Sequence, residues 1–172
     1  VEHQGVLLAE LQHRVRNTLA VVRSITRRTA AASETVEDFA MHLEGRIDAF
    51  ARAQAMATRS ADAGVDLEEF VREELLAHAV RDEEKAHVEG PPVHLRAKAA
   101  DSIGLAIHEL ATNAVKYGAL SGDGGRIDVT WRVEGADGDR TLRLEWRESG
   151  IPVAGAAPRR RGFGSELIER TL

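Results

Sequence analysis

No cysteine occurs anywhere in the 172 residues. A disulfide framework, a thiolate metal site and covalent thiol chemistry are therefore excluded, and a reducing compartment fits. Positive charge is also in deficit: 23 Lys and Arg stand against 28 Asp and Glu, for a net charge of −5. Neutralising nucleic-acid phosphates needs a surplus of Lys and Arg on one surface, so nucleic acid is not expected as a partner. Arg23, Arg27 and Arg28 read instead as a solvated helix face. No apolar run approaches the roughly 20 residues of a membrane span, and no signal-peptide pattern opens the chain. The expectation is a cytoplasmic fragment without membrane contact of its own. It starts at Val1 and stops at Leu172 inside a helical pattern, so further sequence is expected upstream. The hydrophobic content of 43% is that of a folded protein, long enough for one ordinary domain and a smaller appendage.

Residues 6–31 lack both glycine and proline and carry Leu8, Leu11, Val15, Leu19, Val22 and Ile25 at steps of three and four. That spacing predicts an amphipathic helix of about 37 Å. Ser33 reads as a cap, and a second stripe of Val36, Phe39, Leu43, Ile47 and Phe50 predicts a second long helix. The short connection makes the two helices antiparallel neighbours. Two helices cannot enclose a core, so the stripe calls for a partner, most simply a second copy in a four-helix bundle. A monomer hiding the stripe against upstream sequence is the alternative.

Composition changes at Ala61–Asp66, which reads as a linker, a hinge and a domain boundary. Beyond it the pattern predicts helices over 67–80 and 99–118 and strands over 93–97, 126–133 and 141–147. Glycine- and aspartate-rich turns lie at 121–125 and 135–139, and a short helix begins at Ser165. Helices beside a mostly antiparallel sheet give an α+β class.

Four segments hold residues suited to chemistry. His13 falls almost opposite the apolar stripe of its helix, with Glu10 and Asn17 one turn away on either side. A neutral imidazole is a competent nucleophile near pH 7, although taken alone this is equally an ordinary exposed histidine. On the later helix, Ile103, Ile107, Leu110 and Ala114 form the apolar stripe, which leaves Glu109, Asn113 and Lys116 together beside it. An amide oxygen, a carboxylate and an ammonium suit the holding of hydrated Mg²⁺ against triphosphate oxygens; a salt-bridged helix surface fits as well. At the end of the last strand, Glu148 and Gly150 offer a carboxylate to an exocyclic amine and a backbone that a flat base can approach, unless Glu148 is simply solvated. Finally, Gly162 and Gly164 precede a helix whose free N–H groups would face phosphate.

Taken in order, these segments resemble the phosphoacceptor, N and G boxes of sensor histidine kinases, and specifically the HWE family, named for an N-box histidine and a Trp-x-Glu motif. His108, Trp146 and Glu148 match that signature. The run Gln12-His13-Arg14-Val15-Arg16-Asn17-Thr18-Leu19 is similar to the phosphoacceptor pattern, and Asn113-Ala114-Val115-Lys116-Tyr117-Gly118-Ala119-Leu120-Ser121 is the most specific match. The resemblance implies an antiparallel helical hairpin for dimerisation and histidine phosphotransfer over 1–61. A Bergerat-type (GHKL) ATP-binding α/β sandwich would follow over 66–172, its closing strands incomplete.

It further implies that His13 takes a phosphoryl group from ATP, that Asn113 binds Mg²⁺, and that Glu109 and Lys116 assist. Glu148 and Gly150 would receive adenine, and Gly162 and Gly164 would close on the phosphates. An upstream sensory domain in cis, a homodimer and a response-regulator receiver aspartate complete the two-component phosphorelay so implied. Two departures stand out besides the short C-terminus: Arg14 follows His13 where an acidic residue is common, leaving Glu109 as the substitute proton acceptor, and Ile151 replaces a glycine. A scaffold lacking kinase activity and a kinase of protein serines are the rival readings; the helix presenting His13 argues against the latter.

Overall fold

A computed structural model describes residues 2–60, 62–78, 80, 85–135 and 140–150. The chain forms two compact units, Val1–Asp48 and Ala49–Leu172. The first contains helix α1, Glu2–Ala32, and the start of helix α2, Val36–Arg59. Its buried positions gather where the two helices are joined. Ile25 and Thr29 of α1 and Arg46 of α2 are buried, and the Arg46 guanidinium donates to Thr29 Oγ1 at 2.8 Å. Every residue from 11 to 20, by contrast, is exposed. The cap of α2 is Thr35, whose hydroxyl accepts from the Asp38 N–H at 3.1 Å. Ser33, the residue expected there, instead donates back to the Thr29 carbonyl at 2.8 Å, a bond that prolongs α1 rather than opening α2.

The second unit starts with the last turns of α2, where Ala49, Phe50, Ala53 and Met56 are buried. Strand β1, Val65–Asp66, pairs antiparallel with β3, His94–Leu95. Helix α3, Leu67–Ala77, is capped by Asp66, whose carboxylate accepts from the Glu69 N–H at 2.9 Å. Strand β2, Ala86–Glu89, precedes helix α4, Ala97–Tyr117; a 3₁₀ turn at Ala119–Ser121 leads to β4, Arg126–Glu134, and β5, Thr141–Ser149. The three longer strands lie in the order β2-β4-β5, with β2 parallel and β5 antiparallel to β4. Phe70, Val71 and Leu75 of α3, Ile107 and Ala114 of α4, and Ile127, Val129 and Trp131 of β4 share one core. The mixed helix-and-sheet class expected from the sequence is thus observed.

Polar contacts also tie the last turns of α2 to α3 and α4. Arg52 clamps Glu74 through two bonds of 2.9 Å each, and Gln54 donates to Asp101 at 2.7 Å. Glu74 has no exposed surface, so its charge is tolerable only with the guanidinium in place. The segment 61–66, read from sequence as a boundary, lies inside the second unit. Strand β2 and its parallel pairing were not expected, and the strand read over 93–97 is confined to His94–Leu95. The segment read as a Pro/Ala/Arg stretch and terminal helix, including Gly162 and Gly164, lies outside the described residues.

Candidate functional site

Helix α4 presents Glu109, Asn113 and Lys116 of the residues singled out for nucleotide chemistry. Its first turns bury Ala100, Gly104, Leu105 and Ile107, and Ala111 and Ala114 continue that face toward the C-terminus. With that side fixed in the core, 100° of rotation per residue leaves Asn113, Lys116 and Tyr117 exposed and His108 and Glu109 half-buried. His108 turns toward α3, its ring centroid 5.0 Å from that of His78 and tilted by 53°. His78 is itself held: its Nδ1 lies 2.9 Å from the Glu74 carbonyl and its Nε2 lies 3.2 Å from Thr112 Oγ1. A carbonyl only accepts, so Nδ1 carries the proton. Asp101, on the first half of α4, has its carboxyl pushed above the usual range by burial, partly opposed by the Gln54 amide.

At the C-terminal end of α4 the chain meets the end of β5. Strand alternation puts Trp146 and Glu148 on one side of β5, opposite Val129 and Ile127 of β4. Glu148 accepts at both carboxylate oxygens. Oε1 receives the Trp146 indole N–H at 3.1 Å, and Oε2 receives the backbone N–H of Ala119 at 2.8 Å. Gly118, immediately after α4, has an extended backbone at φ −111°, which any residue adopts. Its glycine is required for space: a methyl group there would overlap Glu148 Oε2. Gly150 differs, since its φ of +66° lies in the region that side chains avoid, and a Cβ would also strike the Gly124 carbonyl.

In the first unit, His13 is exposed on α1, with Asn17 Nδ2 lying 3.4 Å from its Nδ1. Glu10 is taken up by Arg14 at 2.7 Å, so the carboxylate expected beside the imidazole answers to the arginine. Of the residues read from sequence, Trp146, Glu148 and the end of α4 come together. Asn113 shares α4 with Glu109 and Lys116, whereas Gly162 and Gly164 lie outside the described residues. The roles of Gly118, Ala119 and His78 were missed; a glycine directly after a helix was the one available signal, and it does not reveal its carboxylate neighbour.

Residues 10–92 match the family model described as HWE histidine kinase. The chain is 37% identical to blue-light-activated histidine kinase 1 of Erythrobacter litoralis, covering 98% of this chain and 47% of that protein. Over residues 10–92 the chain is similar to the HWE histidine kinases. Similarity to the blue-light-activated histidine kinase of Brucella abortus is 31%, over 99% of this chain and 35% of the relative. The chain therefore spans less than half the length of these relatives. Among solved structures, the histidine kinase domain of Erythrobacter litoralis EL346 blue-light activated histidine kinase aligns with a TM-score of 0.59 at 23% identity, over 94% of this chain and 79% of that one. The longer structure of the same kinase aligns with a TM-score of 0.53 at 24% identity, over 95% of this chain and 50% of that one. These likenesses concern the fold. Among the described residues, no helix is long and apolar enough to cross a membrane.

Proposed function

We propose that this chain is the catalytic core of a cytoplasmic sensor histidine kinase that phosphorylates its own His13 from Mg-ATP and passes the phosphoryl group to a receiver-domain aspartate of a response regulator. Residues 1–61, with α1 and α2, would form the hairpin for dimerisation and phosphotransfer, and residues 66–172 the Bergerat-type nucleotide domain. A sensory domain in cis would control the reaction. The observation that carries this reading is His13 itself: a solvent-exposed imidazole within a helical stretch exposed from 11 to 20, in a chain similar to this family over residues 10–92. An acceptor that must be reached by a nucleotide and then by a second protein has to stand open in this way.

In the step proposed, a ring nitrogen of His13 attacks the γ-phosphorus. The N–P bond forms as the bond to the β–γ bridging oxygen breaks, ADP leaves, and Glu109 takes the imidazole proton. Asn113 would supply an amide oxygen to Mg²⁺, and the Lys116 ammonium would meet the phosphates. Glu148 would accept from the adenine amine beside Gly150, and Gly162 and Gly164 would cover the triphosphate. The donor set fits the metal. Exposed Asn113 and half-buried Glu109 stand on one helix, and such oxygen donors suit a hard cation that keeps its waters and takes most other ligands from phosphate. When bound, Mg²⁺ would neutralise charge developing on the phosphate oxygens.

The test is to incubate the full-length protein with γ-labelled ATP and magnesium. A base-stable, acid-labile label that disappears in His13→Ala is expected. Undiminished label in that variant would refute the acceptor assignment, and no such label on the unaltered protein would leave a scaffold. Asn113→Ala is expected to abolish Mg-ATP binding in calorimetry.

A further inference from the structure

Trp146 carries half of the family's Trp-x-Glu signature, yet an indole has no evident chemistry to offer a phosphoryl transfer. Its surroundings supply one. The ring is half-buried and packs against the core beside Leu142 and Leu144, and its N–H reaches Glu148 Oε1 on the same side of the strand at 3.1 Å. Glu148 is the partner of two donors from opposite directions, since Ala119 holds Oε2 at 2.8 Å across 29 residues of sequence. A carboxylate side chain normally samples several rotamers at little cost. Here one oxygen is fixed by the strand and the other by the turn after α4, while Gly118 clears the space in which that second oxygen sits.

We infer that Trp146, Gly118 and Ala119 are positioning residues for the nucleotide base: together they fix the Glu148 carboxylate at the end of α4 so that it meets an adenine amine without rearranging. This rests on the reading of Glu148 as the adenine acceptor and adds to it the cause of its orientation. Two donors use two of the roughly four lone-pair sites of a carboxylate, leaving acceptor capacity for a base. The remaining sites can only accept, so the arrangement favours an exocyclic amine and opposes the carbonyl that guanine presents at the same place. An unfixed carboxylate would swing aside from guanine and lose that discrimination. The Ala119 bond also ties the base pocket to α4, the helix that carries Asn113.

Mg-ATP and Mg-GTP titrated calorimetrically onto the full chain, with thermal unfolding followed in parallel, test this. Trp146→Phe keeps a packed ring and removes the donor. It is expected to weaken ATP binding by about tenfold, in line with loss of a hydrogen bond to a charged group, while GTP binding changes by less than about twofold. Glu148→Gln is expected to weaken ATP at least as much, and the double variant no more than Glu148→Gln alone, because both act through one carboxylate. Gly118→Ala, whose Cβ would overlap Glu148 Oε2 and lie 2.8 Å from Ala114 Cα, should weaken ATP binding in the natural background and do so less beside Glu148→Ala, which relieves only the first of these clashes.

Equal loss of ATP and GTP affinity in Trp146→Phe would overturn the proposal, showing a ring that only packs. Unchanged ATP affinity in Trp146→Phe with a large loss in Glu148→Gln would also overturn it, while leaving Glu148 as the reader of adenine. Unchanged affinity in both would remove that underlying reading as well.

Discussion

Helices α1 and α4 carry apolar stripes of similar quality and put them to opposite use. On α4, Ile107, Ala111 and Ala114 are buried in the core and Asn113, Lys116 and Tyr117 are left exposed. On α1, Leu11, Val15 and Leu19 are 58%, 49% and 62% exposed, and burial begins only toward Ile25. A helix that presents ligand-binding groups gains from a fixed rotation about its axis, which packing supplies. A helix with the role proposed for α1, one imidazole to be reached by several visitors, would gain from access, at the cost of apolar surface left in water. The same period in sequence therefore predicts helix in both places and says nothing of which face is covered.

Substitutions can break or sharpen this contrast. The largest effect is expected at Phe70, fully buried between α4 and the rest of the core, where Phe70→Ala should cost about 3–5 kcal/mol in denaturant unfolding. Next comes Arg52→Ala, which strands the fully buried Glu74 charge and should cost on the order of 3 kcal/mol; replacing both partners by apolar residues should cost less. Gly104→Ala should cost about 1–3 kcal/mol, because its Cβ would lie 2.6 Å from Phe70 Cζ. On α1, Leu11→Ser should change stability by less than about 0.5 kcal/mol. A cost comparable to Phe70→Ala would show that the α1 stripe is covered in solution, by a second copy or by other sequence.

The smallest effect concerns pH. Burial raises the Asp101 carboxyl above its ordinary range in the folded state, so folding binds this proton more tightly than the unfolded chain does. The group therefore opposes folding most above its raised value, and that penalty fades as pH falls from the raised value toward the ordinary aspartate range, below which it is gone. Asp101→Asn, which can still accept from Gln54, should raise stability at neutral pH, with the gain shrinking in acid; a constant gain across that range would contradict it.

Much of this was legible in residue order. The four helical segments announced themselves through spacing. The strands read over 126–133 and 141–147 fall within the observed Arg126–Glu134 and Thr141–Ser149. Strand β2 escaped because Ala86–Glu89 offers a single fully buried residue, Val88, among polar neighbours, and its pairing partner lies some forty residues later, a distance at which alternation is silent. Ser33 was mistaken for the cap because a serine before a helix and a serine ending one look alike in sequence. Within the candidate site, the residue types were visible but not their couplings: Ala119 acts through its backbone, which every residue has, and His78 joins Thr112 across 34 positions.

The alternation along β5 has a consequence for how the sheet finds its alignment. Sliding β5 by one residue against β4 would turn Trp146 outward, an error that hydrophobic burial alone would reject. Sliding it by two would keep the greasy side inward and look acceptable to that criterion, but it would carry Glu148 past the amide of Ala119. The carboxylate thus acts as a detent, selecting among alignments that oiliness cannot tell apart.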